Sequence, residues 1–228
     1  MFDPSIKAVL WDLDDTLYSR VNAARKTFPG MFRQHLYENR SDAFIDETVD
    51  YMMTKIHRNS MIHEDAFRAL LEKYPSDKPY NRADCLNYYY AHICDFAQPN
   101  ADCMEVVKKL RARGIKTAIV TNISADRLDS QHRKVESMNL APYFDAIVYS
   151  GELGIHKPDR RIFDHAAQLL GVPNHQCLFV GDDPTSDVAG ALNAGMEAVW
   201  IDRWQTENCF QGDTRVHRVT NISDYFQL

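Results

Sequence analysis

Ala8-Val9-Leu10-Trp11-Asp12-Leu13-Asp14-Asp15-Thr16-Leu17 decides how the chain is read. The apolar half, led in by Ile6 and Lys7, is a short uninterrupted run. Such a run reads as a strand buried on both faces, as in a parallel sheet. It stops at a carboxylate, Asp12, followed by Asp14, Asp15 and Thr16. In an open α/β sheet, ligands bind at the C-terminal ends of the strands, where these residues fall. A polar turn capping the next helix would use the same residue types. An extended or gently turning segment, however, projects Asp12 and Asp14 to one side. A carboxylate pair suits a hard cation such as Mg²⁺, and an aspartate can attack phosphorus to form an aspartyl-phosphate.

The sequence has 228 residues, 45% of them hydrophobic and 25% charged, within the ordinary globular range. The net charge of -6 argues against a nucleic-acid binder, which needs a basic surface. It leaves room for a small anion in a locally positive pocket. The five cysteines, Cys85, Cys94, Cys103, Cys177 and Cys209, include no CxxC pair. Reduced thiols in a cytoplasmic protein are therefore expected. No signal peptide is read at the N-terminus, and no apolar run reaches membrane-spanning length.

From Ser19 to Gln98 the pattern is helical, with helices expected over 21–38, 41–58, 64–74 and 82–96. Ser41 and Glu47 read as start signals, and Pro75 and Pro79 as breaks. The aromatics of this block read as the core of a helical bundle, which would form a lid-like second domain over 19–98. From Asn100 helix and strand alternate, the signature of βαβ units. Strands are expected over 115–120, 146–149, 177–180 and 198–201, with an edge strand at 216–219. Helices are expected over 101–113, 125–138, up to 170, and 187–194, and a loop over 150–159. Residues 1–18 and 99–228 then make one α/β domain with a parallel sheet.

Thr121, Lys157 and Asp182 each follow a separate apolar strand, as Asp12 does. Right-handed crossovers bring those strand ends to one edge of the sheet. A carboxylate cluster, a hydroxyl and an ammonium at one place fit phosphoryl transfer: a nucleophile, a metal, and groups to hold phosphate oxygens. Gly181 permits a tight turn before Asp182. One of Asp182, Asp183 and Asp187 is expected to cap a helix.

These motifs resemble the haloacid dehalogenase-like hydrolase superfamily. Asp12-Leu13-Asp14-Asp15-Thr16 is similar to its first motif and Ile119-Val120-Thr121-Asn122 to its second. His156-Lys157-Pro158-Asp159 is similar to its third, and Gly181 to Asp187 to its fourth. The resemblance implies a Rossmann-like three-layer core with a small helical cap. It points to the branch holding phosphoglycolate phosphatases, pyrimidine nucleotidases and acylneuraminate-9-phosphatases. It further implies that Asp12 is the nucleophile and that Asp14 protonates the leaving alcohol and then activates water. Thr121, Asn122 and Lys157 would bind the phosphate, Asn122 through its backbone N–H. Mg²⁺ would be held by Asp12, Asp182 and the main-chain carbonyl of Asp14. Asp187 would orient Lys157, with Asp183 in a supporting role. Ile123 departs from the small residue many relatives carry.

The expected activity is hydrolysis of a small phosphorylated metabolite by a cytoplasmic monomer or homodimer, with neither nucleic acid nor membrane as partner. Arg20, Arg25, Lys26, Arg33, Lys55, His57 and Arg58 are candidate substrate contacts in the helical block. Three other readings stand beside this one: a sugar phosphomutase of the same fold, a non-catalytic phosphometabolite-binding or regulatory protein, and a phosphoacceptor signalling domain. Asp14 and the long helical insert weigh against the last.

Overall fold

The computed structural model describes residues 3–56, 63–203 and 205–227. The chain divides into two compact units, Met1–Ser19 with Gln98–Leu228, and Arg20–Ala97. In chain order, β1 (Ala8–Trp11) precedes the four helices of the second unit: α1 (Arg20–His35), α2 (Asp42–Lys55), α3 (Glu64–Lys73) and α4 (Arg82–His92). The first unit resumes with α5 (Ala101–Ala112), β2 (Lys116–Thr121), α6 (Leu128–Ser137) and β3 (Ala146–Tyr149). It continues through α7 (Ser150–Leu153), α8 (Arg160–Leu170), β4 (Cys177–Gly181) and α9 (Ala189–Ala194). It ends with β5 (Glu197–Ile201), β6 (Val216–Val219) and α10 (Ile222–Tyr225).

The six strands form one sheet in the order β3-β2-β1-β4-β5-β6, and every pairing is parallel. β1 lies at the centre, with Leu10 opposite Ala118 on one side and Phe179 on the other. Its four residues are buried because both faces of the sheet are covered, which explains the unbroken apolar run. Leu10, Val120 and Phe179 pack with Ile162, Phe163 and Ala166 of α8 and Ala191 of α9. On the opposite face Trp11 stacks on Phe226, ring centroids 6.1 Å apart, and Arg111 of α5 reaches Thr117. Helix boundaries follow local chemistry. Asn100 caps α5 by accepting from Asp102 N–H, and Gly171 ends α8 at a φ of 67°.

In the second unit, buried Phe28, Phe32, Tyr37 and Phe67 form an aromatic core. Tyr37 donates to the Tyr74 carbonyl at 2.7 Å and packs edge-on against Phe44 at 5.1 Å. Ser41 caps α2, accepting from Phe44 N–H. Glu47 is not a start signal: it lies inside α2 and accepts from the Tyr74 hydroxyl at 2.7 Å. Among the described residues this unit holds no strand.

Three local expectations give way. Residues 150–153, expected as loop, form the single turn α7. A 3₁₀ turn, Ala125–Arg127, precedes α6. The fourth-motif helix begins earlier than Asp187, as a π-helical turn over Pro184–Val188. The Asp183 carboxylate fixes that start by accepting from Thr185 and Ser186 N–H at 2.7 and 2.9 Å. Among the described residues, no helix is long and apolar enough to cross a membrane.

Candidate active site

Parallel strands end side by side, so the first residues beyond them share one edge. Asp12 directly follows β1, and its N–H still pairs with Val180 O at 2.9 Å. Thr121 closes β2, and Asp182 follows β4. Lys157 arrives on the segment after α7 and is 4% exposed as a residue. Its Nζ lies 2.6 Å from Asp12 Oδ1 and 2.7 Å from Asp187 Oδ1. A buried ammonium is tolerated only when paired, and here two carboxylates pair it. Burial opposes the Lys157 charge, but Asp12 and Asp187 outweigh burial and hold the ammonium above its usual range. For Asp12 burial dominates: it pushes the carboxyl up to about 7 against the pull of Lys157, with Asp187 and Asp14 adding to the rise.

Asp187 is placed by the π-helical turn, a feature that recurs at functional sites. Its Oδ2 accepts from Asp183 N–H at 3.1 Å. Asp182 is held through its carbonyl, which accepts from the buried Trp200 Nε1 at 3.0 Å. Asp12, Asp182 and Asp187 each offer a carboxylate oxygen, all within 4.8 Å of one another and all buried. An oxygen-only, buried and crowded acidic set suits a hard divalent cation, which would relieve the mutual repulsion that a single lysine leaves. The Asp14 carboxylate is not part of that cluster.

The segment after Asp12 is neither extended nor gently turning. It folds back on itself, with Leu17 N–H donating to Leu13 O at 3.0 Å and Asp15 at a φ of 63°. Aspartate tolerates the left-handed region better than most residues, and Arg203 donates to the Asp15 carbonyl at 2.9 Å. As a result Asp14 and Asp12 meet different partners. Asp14 Oδ1 accepts from Lys134 Nζ at 2.9 Å and Tyr18 hydroxyl at 2.5 Å. Its Oδ2 accepts from Gln131 Nε2 at 2.6 Å.

Gln131 Nε2 also donates to Thr121 Oγ1 at 2.6 Å, so the Thr121 hydroxyl proton is left to point elsewhere. The Asn122 side chain is spent on the backbone of Lys157, accepting from its N–H at 2.9 Å and donating to its carbonyl at 3.0 Å. Ser150 Oγ pins the next residue, accepting from Ile123 N–H and donating to Ile123 O. Tyr18, Gln131, Lys134, Ser150 and Trp200 were not anticipated from sequence. The one available signal was the spacing of Gln131 and Lys134, which shares one helix face just after Thr121.

In the helical unit Arg25 pairs with Asp50 and Arg33 with Asp42, both on the surface. Lys55 stands over the Tyr51 ring, and Lys26 is exposed. Arg20 also has an interaction partner. His57 and Arg58 lie outside the described residues.

The family model described as haloacid dehalogenase-like hydrolase matches residues 6–195. Glyceraldehyde 3-phosphate phosphatase of Methanopyrus kandleri is 30% identical over 200 residues, covering 87% of this chain and 84% of that protein. N-acylneuraminate-9-phosphatase of Rattus norvegicus is 30% identical over 210 residues, covering 87% and 83%. The HAD-hydrolase YfnB from Bacillus subtilis, solved bound to magnesium, superposes with a TM-score of 0.74 over 97% of both chains. At 18% identity that last likeness is one of fold.

Proposed function

The chain belongs to the haloacid dehalogenase-like hydrolase family, and we propose that it is a magnesium-dependent phosphatase of a small phosphorylated metabolite. The observation that carries this reading is the buried Lys157, paired at once with Asp12 and Asp187 at the strand ends. A nucleophilic carboxylate must be ionised to attack. Lys157 favours that form at Asp12 while burial opposes it. The cation would be held by Asp12, Asp182 and the Asp14 carbonyl, with Asp187 within reach of the same cluster. When bound, magnesium supplies positive charge that keeps the carboxylates ionised and offsets charge on phosphoryl oxygens.

The remaining chemistry belongs to the chain. Asp12 attacks phosphorus in line with the leaving oxygen and becomes the aspartyl-phosphate. Asp14 gives a proton to the departing alcohol, then takes one from the water that hydrolyses the intermediate. Thr121 hydroxyl, Lys157 ammonium and the backbone N–H of Asn122 hold phosphoryl oxygens. Asp187 orients Lys157, and Asp183 fixes the turn that carries Asp187. The two relatives bear the names of phosphatases of small phosphorylated metabolites, which supports that substrate class. Five free thiols, four of them buried, support a reducing, cytoplasmic setting.

The test is phosphate release from sugar phosphates, nucleoside monophosphates, phosphoglycolate and acylneuraminate-9-phosphate, with Mg²⁺ and with chelator. Release should require Mg²⁺ and fall at least ~10³-fold in Asp12→Asn, the scale of losing a nucleophile. Release that survives chelation, or survives in Asp12→Asn, would overturn the reading.

A further inference from the structure

α6 presents two polar side chains that the sheet edge buries. Lys134 is 3% exposed and Gln131 is fully buried, an arrangement unusual for a lysine. Both converge on Asp14 with Tyr18, so one carboxylate receives at least three donors. The geometry also settles how Gln131 is oriented. Lys134 Nζ lies 2.9 Å from Gln131 Oε1. An ammonium can only donate, so the amide oxygen must face Lys134. The amide N–H₂ is thereby turned toward Asp14 Oδ2 and Thr121 Oγ1, both at 2.6 Å. Lys134 thus acts twice, by binding Asp14 directly and by fixing the amide that binds it. The Asp14 side chain keeps 16% of its surface exposed, so it is held yet remains reachable.

We propose that Lys134, Gln131 and Tyr18 are positioning residues that aim the Asp14 carboxylate for proton transfer, with Gln131 linking that aim to Thr121. This inference rests on the phosphatase reading. In that reaction the Asp12–phosphorus bond forms as the bond from phosphorus to the alcohol oxygen breaks, and the Asp14 proton passes to that oxygen. In the second half, water attacks the aspartyl-phosphate, its proton passes to Asp14, and the phosphorus–Asp12 bond breaks. A carboxylate free to rotate would meet neither oxygen reliably, and small misplacements at a reacting centre are costly. Solvation alone does not explain the arrangement, because Lys134 would reach water at less desolvation cost on the outer face of α6.

A double-mutant cycle on the full-length protein with Mg²⁺ tests it. Lys134→Met keeps the length and packing of the side chain and removes the ammonium. If Lys134 acts through Asp14, this change lowers kcat at least ~10-fold in the wild-type background and less than ~2-fold in Asp14→Asn. A purely structural lysine would cost the same factor in both backgrounds, and that outcome overturns the proposal. Tyr18→Phe removes only a hydroxyl, and its cycle with Asp14→Asn is expected to show the same coupling, with a smaller loss. It decides the matter alone should Lys134→Met not fold. Asp12→Asn is measured alongside. Hydrolysis surviving there means that the phosphatase reading has failed and this inference with it. Hydrolysis abolished there, with additive Lys134 and Tyr18 effects, means that the positioning proposal alone has failed.

Discussion

Gly181 and Asp187 compete for one space: a β-carbon added to Gly181 would overlap Asp187 Oδ2 and stand 2.6 Å from the Asp187 Cβ. The last residue of β4 is therefore a glycine because the turn that begins three residues later folds the Asp187 carboxylate back onto the strand end. Gly181→Ala is expected to push Asp187 off Lys157. Overpacking of this kind costs ~1–3 kcal/mol, and displacing the lysine's partner should lower kcat by ~100-fold. Gly171→Ala is the comparison. Gly171 has a φ of 67° and nothing within 4 Å of an added Cβ. It should cost ~1 kcal/mol through the backbone and leave kcat unchanged. Urea unfolding and steady-state kinetics on both variants check the contrast, and equal kcat losses would sink it.

Much of this site was legible because it follows strands. Asp12, Thr121 and Asp182 sit directly at the ends of apolar runs, so the sheet alone brings them together. Lys157 was legible from Pro158 beside it and from the strand before it. Gln131 and Lys134 were hidden because on an amphipathic helix a polar residue reads as solvent-facing until the helix is docked. Their burial is a tertiary fact. Glu47 misled for the same reason, since its partner Tyr74 lies far along the chain, just past the end of α3. α7 is a single turn, too short to show a helical period. The fold-back after Asp12 depends on Asp15 adopting a left-handed φ, which no local pattern announces.

Asp202, just past β5, is 1% exposed and accepts from Arg218 Nε at 3.0 Å and Nη2 at 2.5 Å. Burial alone would raise its carboxyl, but Arg218 and the Thr206 N–H and hydroxyl outweigh burial and hold it below the usual carboxylate range. Folding therefore favours the ionised form more than the unfolded chain does. The resulting stabilisation is complete above the unfolded pKa of about 3.9 and is lost as pH falls through the lower folded value. Unfolding free energies of wild type and Asp202→Asn should differ by a constant amount from pH 7 to 5. The gap should close below about pH 4, where unpaired and paired carboxylates alike take up protons. A gap that persists undiminished at pH 2 would show that the charge of Asp202 contributes nothing.

Asn122 is expected to matter through the chain it clips. Its amide accepts from Lys157 N–H and donates to Lys157 O, tying the end of β2 to the segment that delivers the ammonium. Asn122→Ala leaves both backbone groups without those partners, at a cost of ~1–3 kcal/mol, and lets Lys157 shift against Asp12. Asn122→Asp is isosteric but keeps only the acceptor, and its second oxygen faces the Lys157 carbonyl oxygen. Repulsion between two acceptors should make the Asp variant no more stable than the Ala variant, despite its better fit. Both should lower kcat by ~10–100-fold. Urea unfolding ranks the three proteins. An Asp variant as stable as wild type would mean that the donor half of the clip is not formed, whereas wild type well above Ala and Asp is the order the two bonds require.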